Sequence, residues 1–276
     1  MIKNWLIRGD THGQFSWMTN GCLDEYNPAE TAIIILGDAG FNFYLDKFDE
    51  KLKREVNERG FRFYCVRGNH EARPQNLSIP LSYDSTVFGN VYMEPKYPNI
   101  RYFKDWGQYW INGYHTAVIG GAYSVDKWYR LQRMGILSTD NYDYNNPRKT
   151  GWFEDEQLNT EEMSNAEKEL EGKYFHFVFT HTCPISWQPS DLFLKTINQS
   201  NVDNSMELWL DNVKDKINWK IWCFGHYHAD RLERPYIEQY YNDIESINNI
   251  NARWARYEAT GELDWWLNKS PNFYAT

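Results

Sequence analysis

Eight residues in short, widely separated stretches have the chemistry of metal ligands: Asp10 and His12, Asp38, Asn69 and His70, His181, and His226 with His228. Five of the seven histidines fall in this set, and only His115 and His176 lie outside it. Imidazoles and carboxylates gathered in one crevice without cations would compete for water, a conflict that bound cations remove. Mixed nitrogen and oxygen donors suit Mn, Fe, Zn or Co better than Ca, which takes all-oxygen shells. No cysteine stands at any of these positions, which argues against a structural zinc knot. Eight donors are too many for one ion but suit two ions that share a bridging carboxylate. Such a pair has a characteristic use: a metal-bound hydroxide attacks phosphorus in line while both cations hold the phosphoryl oxygens.

Each stretch follows an apolar run of strand length. Trp5-Leu6-Ile7 leads into Arg8-Gly9-Asp10-Thr11-His12-Gly13, and Ala32 to Leu36 into Gly37-Asp38-Ala39-Gly40. Phe61 to Val66 leads into Arg67-Gly68-Asn69-His70-Glu71, Phe175 to Phe179 into Thr180-His181, and Ile221 to Phe224 into Gly225-His226-Tyr227-His228. In open α/β sheets ligands gather beyond the carboxyl ends of the strands, so residues far apart in sequence converge there. The glycines before Asp10, Asp38, Asn69 and His226 permit tight turns and close backbone approach. A further run, Tyr114 to Ile119, is followed by Gly120 to Arg130 and offers Lys127 and Arg130 as candidate substrate contacts. Continuous apolarity predicts strands covered on both faces. Helical spacing covers Leu45 to Arg59, with Leu45, Phe48, Leu52 and Val56 as one buried stripe and Gly60 as the stop, and recurs over Thr160 to Glu171 and Met206 to Ile217. This alternation predicts a layered α/β or α/β/β/α arrangement. Polar, turn-rich segments predict loops over Gly135 to Trp152, Thr182 to Asn204 and Asn242 to Asn251.

The order DxH, GD, GNH, H and GHxH resembles that of the calcineurin-like metallophosphoesterases, with matches at Asp10-Thr11-His12, Gly37-Asp38, Gly68-Asn69-His70, His181 and Gly225-His226-Tyr227-His228. The resemblance runs from about Ile7 to His228. It implies a four-layer α/β/β/α sandwich of two mixed sheets flanked by helices. It also implies that Asp10, His12 and His228 hold one metal, that Asp38 bridges, and that Asn69, His181 and His226 hold the second. His70 would stay outside the metal shell as the general acid that protonates the leaving alcohol, a role suited to imidazole. Gly9 to Gln14 and Arg67 to Glu71 look like the Ser/Thr phosphoprotein phosphatase branch, in which the arginine before GNHE contacts phosphate; Arg67 is therefore a candidate phosphate clamp. The second block departs from that branch, because Phe41 stands where it has the carboxylate that orients the catalytic histidine, and no arginine follows.

Together these residues predict a metal-dependent phosphoric ester hydrolase with two divalent or trivalent ions (Mn, Fe or Zn), acting on a phosphomonoester carried by a small molecule or a phosphoprotein. A phosphodiesterase or nuclease on the same centre, or an inactive metal-binding regulatory module, are the alternatives. With 29 Lys and Arg against 38 Asp and Glu, the net charge of −9 argues against a surface built for nucleic acid or anionic lipid. At 276 residues, with 42% hydrophobic and 24% charged residues and no linker or repeat, the chain reads as one globular domain over residues 1–276. Charge interrupts the apolar N-terminal residues and no run approaches the length of a membrane span, so a cytoplasmic location is expected. Cys22, Cys65, Cys183 and Cys223 form no CxxC pair and read as free thiols; Cys183 is a packed residue rather than a nucleophile. The 13 Trp and 20 Tyr follow no regular spacing, which favours core filling over stacking platforms. His115 and His176 read as structural, and the aromatic tail from Asn251, with Trp254, Trp265 and Trp266, is expected to close the domain.

Overall fold

All six apolar runs form strands in the computed structural model, which describes residues 1–133, 135 and 151–262. In chain order the elements are β1 (Asn4–Arg8), β2 (Thr31–Ile35), α1 (Lys47–Asn57), β3 (Arg62–Cys65), β4 (Leu81–Asp84), β5 (Gly89–Tyr92), β6 (Ile100–Phe103), β7 (Trp106–Ile111), β8 (Tyr114–Ile119) and α2 (Lys127–Arg133). They continue with α3 (Thr160–Leu170), β9 (Tyr174–Thr180), α4 (Ser205–Lys216), β10 (Asn218–Phe224), β11 (Arg231–Arg234), β12 (Ile237–Gln239), β13 (Ile244–Ser246) and α5 (Ile247–Thr260).

The strands make two mixed sheets, ordered β13-β1-β2-β3-β6-β5-β4 and β11-β12-β10-β9-β8-β7. In each, a parallel centre (β1, β2, β3 and β6; β8, β9, β10 and β12) carries antiparallel strands at its edges. Side-chain alternation sorts the core into layers. Trp5, Ile7, Ile34 and Tyr64 face Val118, Phe177, Phe179, Ile221 and Cys223 between the sheets. Leu6, Ile33, Ile35 and Phe63 pack outward with Val56 and Leu52 of α1. On the far side Ala117, Val178, Trp222 and Phe224 pack against Ala166 and Leu170 of α3 and Met206, Leu210 and Val213 of α4. β1, β2, β3, β8, β9 and β10 therefore lie covered on both faces, which is why they read as continuous apolar runs, whereas the parallel β6 and β12 carry polar residues and do not. The large buried rings, Trp222, Trp254, Tyr64 and several phenylalanines among them, fill these layers as expected.

Several expectations need correction. The helix predicted from Leu45 begins at Lys47, because Asp46 caps it by accepting from Phe48 N at 2.8 Å while Leu45 takes a left-handed φ of 54°. Phe48, assigned to the buried stripe, is 60% exposed, and Asp49, Lys53 and Val56 are the buried positions of α1. The segment Asn242 to Asn251 is not a loop: β13 pairs antiparallel with β1, and Ser246 Oγ accepts from Asn249 N to start α5. A three-residue edge strand has too few apolar positions to announce itself, yet it satisfies the free backbone edge of β1. The segment Thr182 to Asn204 holds only short 3-10 turns, as a loop should. Of the expected loop Gly135 to Trp152, residues 136–150 lie outside the described residues, as do Trp265 and Trp266. Trp254 of α5 joins the core between the sheets and donates to Glu238, so the part of the tail that is described does close it. Cys65, Cys183 and Cys223 are buried and free, and Cys22 is exposed and free. No helix among the described residues is long and apolar enough to cross a membrane.

Candidate metal centre

The carboxyl ends of β1, β2 and β3 in one sheet and of β8, β9 and β10 in the other open onto one crevice, where Asp10, His12, Asp38, His181 and His228 form two overlapping groups; His226 belongs to neither, although its ring lies beside that of His181. Each of the two aspartates has one oxygen tied down by a loop from another strand. Asp10 Oδ1 accepts from His226 N at 2.9 Å, and Asp38 Oδ1 accepts from His70 N at 2.8 Å. The other oxygens face imidazoles. Asp10 Oδ2 lies 3.3 Å from His228 Nε2 and 3.8 Å from His12 Nε2, and it is buried without a hydrogen-bond partner. Asp38 Oδ2 lies 3.6 Å from His181 Nε2 and 3.9 Å from His12 Nδ1. His12 Nε2 and His228 Nε2 stand 2.9 Å apart. Ligand atoms of Asp10, His12 and His228, and again of Asp10, Asp38 and His181, lie within 4.8 Å of one another. An orphaned buried carboxylate oxygen facing two ring nitrogens is a donor set that a cation fits, because burying such a group unpaired is costly.

Close backbone approach makes this convergence geometrically feasible. A Cβ on Gly37, whose φ is +108°, would lie 1.9 Å from His181 Nδ1, and one on Gly68 would lie 1.9 Å from Asp38 Oδ1. Four of the nine non-glycine residues with positive φ among the described residues are His12, Asp38, His226 and His228. Backbone strain thus concentrates at the predicted ligands, as it does at functional sites in general.

Asn69 lies against the second group. Its Oδ1 is 2.9 Å from His181 Nε2, and its Nδ2 donates to Ser124 Oγ at 2.8 Å. His181 Nδ1 sits 2.8 Å from the Leu36 carbonyl, and its ring centroid is 4.9 Å from that of His226. The electrostatics follow the packing. Burial alone would raise the carboxyls of Asp10 and Asp38, but the surrounding histidines override it and hold both below the ordinary range. Burial pushes the His226 imidazole down to about 3. For His228 the Asp10 carboxylate outweighs burial and raises it.

His70 stands beside this group, its ring centroid 5.7 Å from that of His12. Its Nδ1 is buried without a hydrogen-bond partner. No carboxylate orients it from position 41, since Phe41 is fully buried and stacks on Phe15 at 5.0 Å. Burial holds its imidazole below the usual range, although Asp38 pulls the other way. A cavity of about 420 Å³ opens here, lined by His12, Asp38 and His70 together with Phe43, Phe48 and Arg130.

A family model described as calcineurin-like phosphoesterase matches residues 6–230. The chain belongs to the calcineurin-like phosphoesterases. No curated protein matches it. Among solved structures it is similar to a phosphopantetheinyl hydrolase from Mycobacterium tuberculosis, at 13% identity and a TM-score of 0.41, over 95% of this chain and 94% of that one. This family binds divalent metals, and the Asp and His groups above are the positions available for them here.

Within this calcineurin-like phosphoesterase the candidate substrate contacts fare unequally. Arg130 lines the cavity beside His70, with its Nε 2.7 Å from Asp126 Oδ2. Lys127 is not among the cavity-lining residues; its Nζ sits 4.2 Å over the Trp152 ring. Arg67, expected to clamp phosphate, is buried: its Nε pairs with Asp105, and its Nη1 donates to the carbonyls of Glu156 at 2.7 Å and Gly68 at 3.2 Å. His115 Nδ1 lies 2.8 Å from the Tyr174 carbonyl and His176 Nε2 lies 2.7 Å from Asn251 Oδ1, both in structural positions. Among the described residues, three of the six buried acids outside the predicted ligands contact residues that flank or support the site. Glu71 accepts from Gly40 N at 2.6 Å, and burial and the neighbouring Asp38 raise it to about 8. Glu156 holds Ser124, and Glu207 accepts from Thr182 Oγ1 at 2.8 Å; burial raises each of these to about 7. Only the Glu after GNH carried any motif signal.

Proposed function

We propose that the chain is a metal-dependent phosphomonoesterase that holds two ions, Mn, Fe or Zn, in this crevice. Asp10, His12 and His228 would hold one ion, Asn69, His181 and His226 the other, and Asp38 would be the carboxylate they share. The ions supply an activated water and positive charge for the phosphoryl oxygens. The observation that carries this reading is the Asp10 carboxylate, buried with one oxygen unpartnered against His228 and His12. His70 lines the wall of the adjoining cavity, where it donates the proton that the leaving alcohol takes up as the P–O bond breaks. The alcohol then occupies the cavity, in contact with Phe43 and Phe48, with the Arg130 cation also in its lining. The substrate is a phosphorylated small molecule or phosphoprotein of the cytoplasm; the net charge of −9 makes a nucleic acid a poor fit. Turnover of p-nitrophenyl phosphate and of its bis ester by chain loaded with Mn, Fe or Zn tests this directly. The monoester is expected to be hydrolysed at least tenfold faster. A reversed preference assigns the centre to diesters, and no turnover of either ester with any metal overturns the enzyme reading.

A further inference from the structure

Asn69 differs from the other proposed ligands in one respect. Its carboxamide has an oxygen and a nitrogen of nearly equal size, and only the oxygen can bind a cation. Something must fix which end faces His181, and the surroundings on the other side are polar and closed. Asn69 Nδ2 donates to Ser124 Oγ at 2.8 Å, and Ser124 Oγ donates to Glu156 Oε2 at 2.5 Å. The second carboxylate oxygen accepts from Ser124 N at 3.0 Å. All three residues are at most 3% exposed. A serine hydroxyl has one proton. While that proton is committed to Glu156, Ser124 Oγ can only accept from Asn69, so a flipped carboxamide would set oxygen lone pairs against oxygen lone pairs.

We infer that Ser124 and Glu156 are positioning residues that lock the Asn69 carboxamide with its oxygen toward the second metal. The inference rests on the proposed role of Asn69 as a ligand. The supports come from distant parts of the chain: Ser124 from the loop after β8 and Glu156 from the segment before α3. Arg67 joins them, since Gly121 N donates to its carbonyl at 2.8 Å while its Nη1 donates to the Glu156 carbonyl at 2.7 Å. The arginine that resembles a phosphate clamp in sequence thus builds the platform under a ligand.

Ser124→Ala removes the acceptor, and Glu156→Gln replaces the carboxylate oxygens that accept from Ser124 with an amide. Outer-sphere partners of metal ligands typically control affinity by about 10–100-fold. Mn2+ titration of the metal-free chain, followed by electron paramagnetic resonance, reads both sites. Wild type is expected to take two equivalents and show a spin-coupled pair. Each variant is expected to bind the second Mn2+ about 10–100-fold more weakly and to show a single uncoupled ion at the same concentration, with the first site unchanged. The double variant should bind no more weakly than Ser124→Ala, because both changes act through one contact. Two tight sites in both variants, or equal weakening of both sites, overturns the proposal. A wild-type chain that takes up no Mn2+ overturns the metal-centre reading and this proposal with it. Should the variants fail to fold, proton exchange of the Asn69 side-chain amide in the wild-type chain decides: slow exchange is expected, and exchange as fast as that of an exposed asparagine overturns the lock.

Discussion

Replacing Arg67 by Met separates a phosphate clamp from a structural ion pair. The Arg67 side chain is 2% exposed with its Nε on Asp105, whose other oxygen is 3.0 Å from Arg73 Nη1 and accepts from Gln75 Nε2 at 3.0 Å. Breaking a buried pair by removing one partner costs about 3–5 kcal/mol. Asp105 keeps Arg73 and Gln75 here, so the lower end, about 3 kcal/mol, is expected. Urea denaturation of the metal-free chain reads this as a midpoint about 1 M lower, for a slope of about 3 kcal/mol per molar. The effect has a pH signature. Burial would raise the Asp105 carboxyl, but Arg67 and Arg73 override it and hold it below the ordinary range. A folded value below the unfolded one contributes stability that is present above about pH 4 and is lost as pH falls through the lowered folded value. The cost of Arg67→Met should therefore be full at neutral pH and shrink in acid below about pH 4. A variant with the wild-type urea midpoint and a KM for p-nitrophenyl phosphate raised tenfold would refute the structural assignment and return Arg67 to the substrate.

Three further outcomes are expected. His70→Asn should lower kcat by about 10²–10⁴-fold while Mn2+ uptake stays at the wild-type level, and full turnover would remove His70 as the acid. Gly37→Ala places a Cβ 1.9 Å from His181 Nδ1 at a φ of +108°, so Mn2+ stoichiometry should fall and the metal-free melting temperature should drop; wild-type values of both would contradict the close approach. Glu207 is raised by burial to about 7, above its unfolded value, so its contribution is full below about pH 4 and is lost as pH climbs through 7. Glu207→Gln should accordingly stabilise the chain by about 3 kcal/mol at pH 8 and by nothing at pH 4, as measured by denaturation at the two pH values.

Six of the eight parallel strands among the described residues were readable because burial on both faces leaves a run with no polar interruption, as in Ala32 to Leu36, every residue of which is buried; the other two, Ile100–Phe103 and Ile237–Gln239, carry charged or polar residues and were not. The edge strands were not. Leu81–Asp84 is largely exposed and Ile244–Ser246 has one apolar residue, so nothing in their composition separates them from loop. Their existence depends on a neighbour's unpaired backbone edge. The same distinction runs through the site. Asp10, Asp38 and His226 announce themselves because a strand end, a glycine turn and a donor are adjacent in sequence. Phe48 was misplaced because three- and four-residue spacing marks a stripe but does not say where the helix starts, which the Asp46 cap decides.

From the amino-acid order alone came the candidate ligand types, their placement after strands and hence their expected meeting at one end of the sheets, since each of those features is written within about ten consecutive residues. Only the folded chain decided which way side chains turn once they arrive. Arg67 reaches Asp105 across 38 positions, Asn69 reaches Ser124 across 55, and Ser124 reaches Glu156 across 32. Local sequence carries no record of such pairings, because the direction of a buried arginine or carboxamide is set by whichever partner the packing of other segments brings within hydrogen-bond distance.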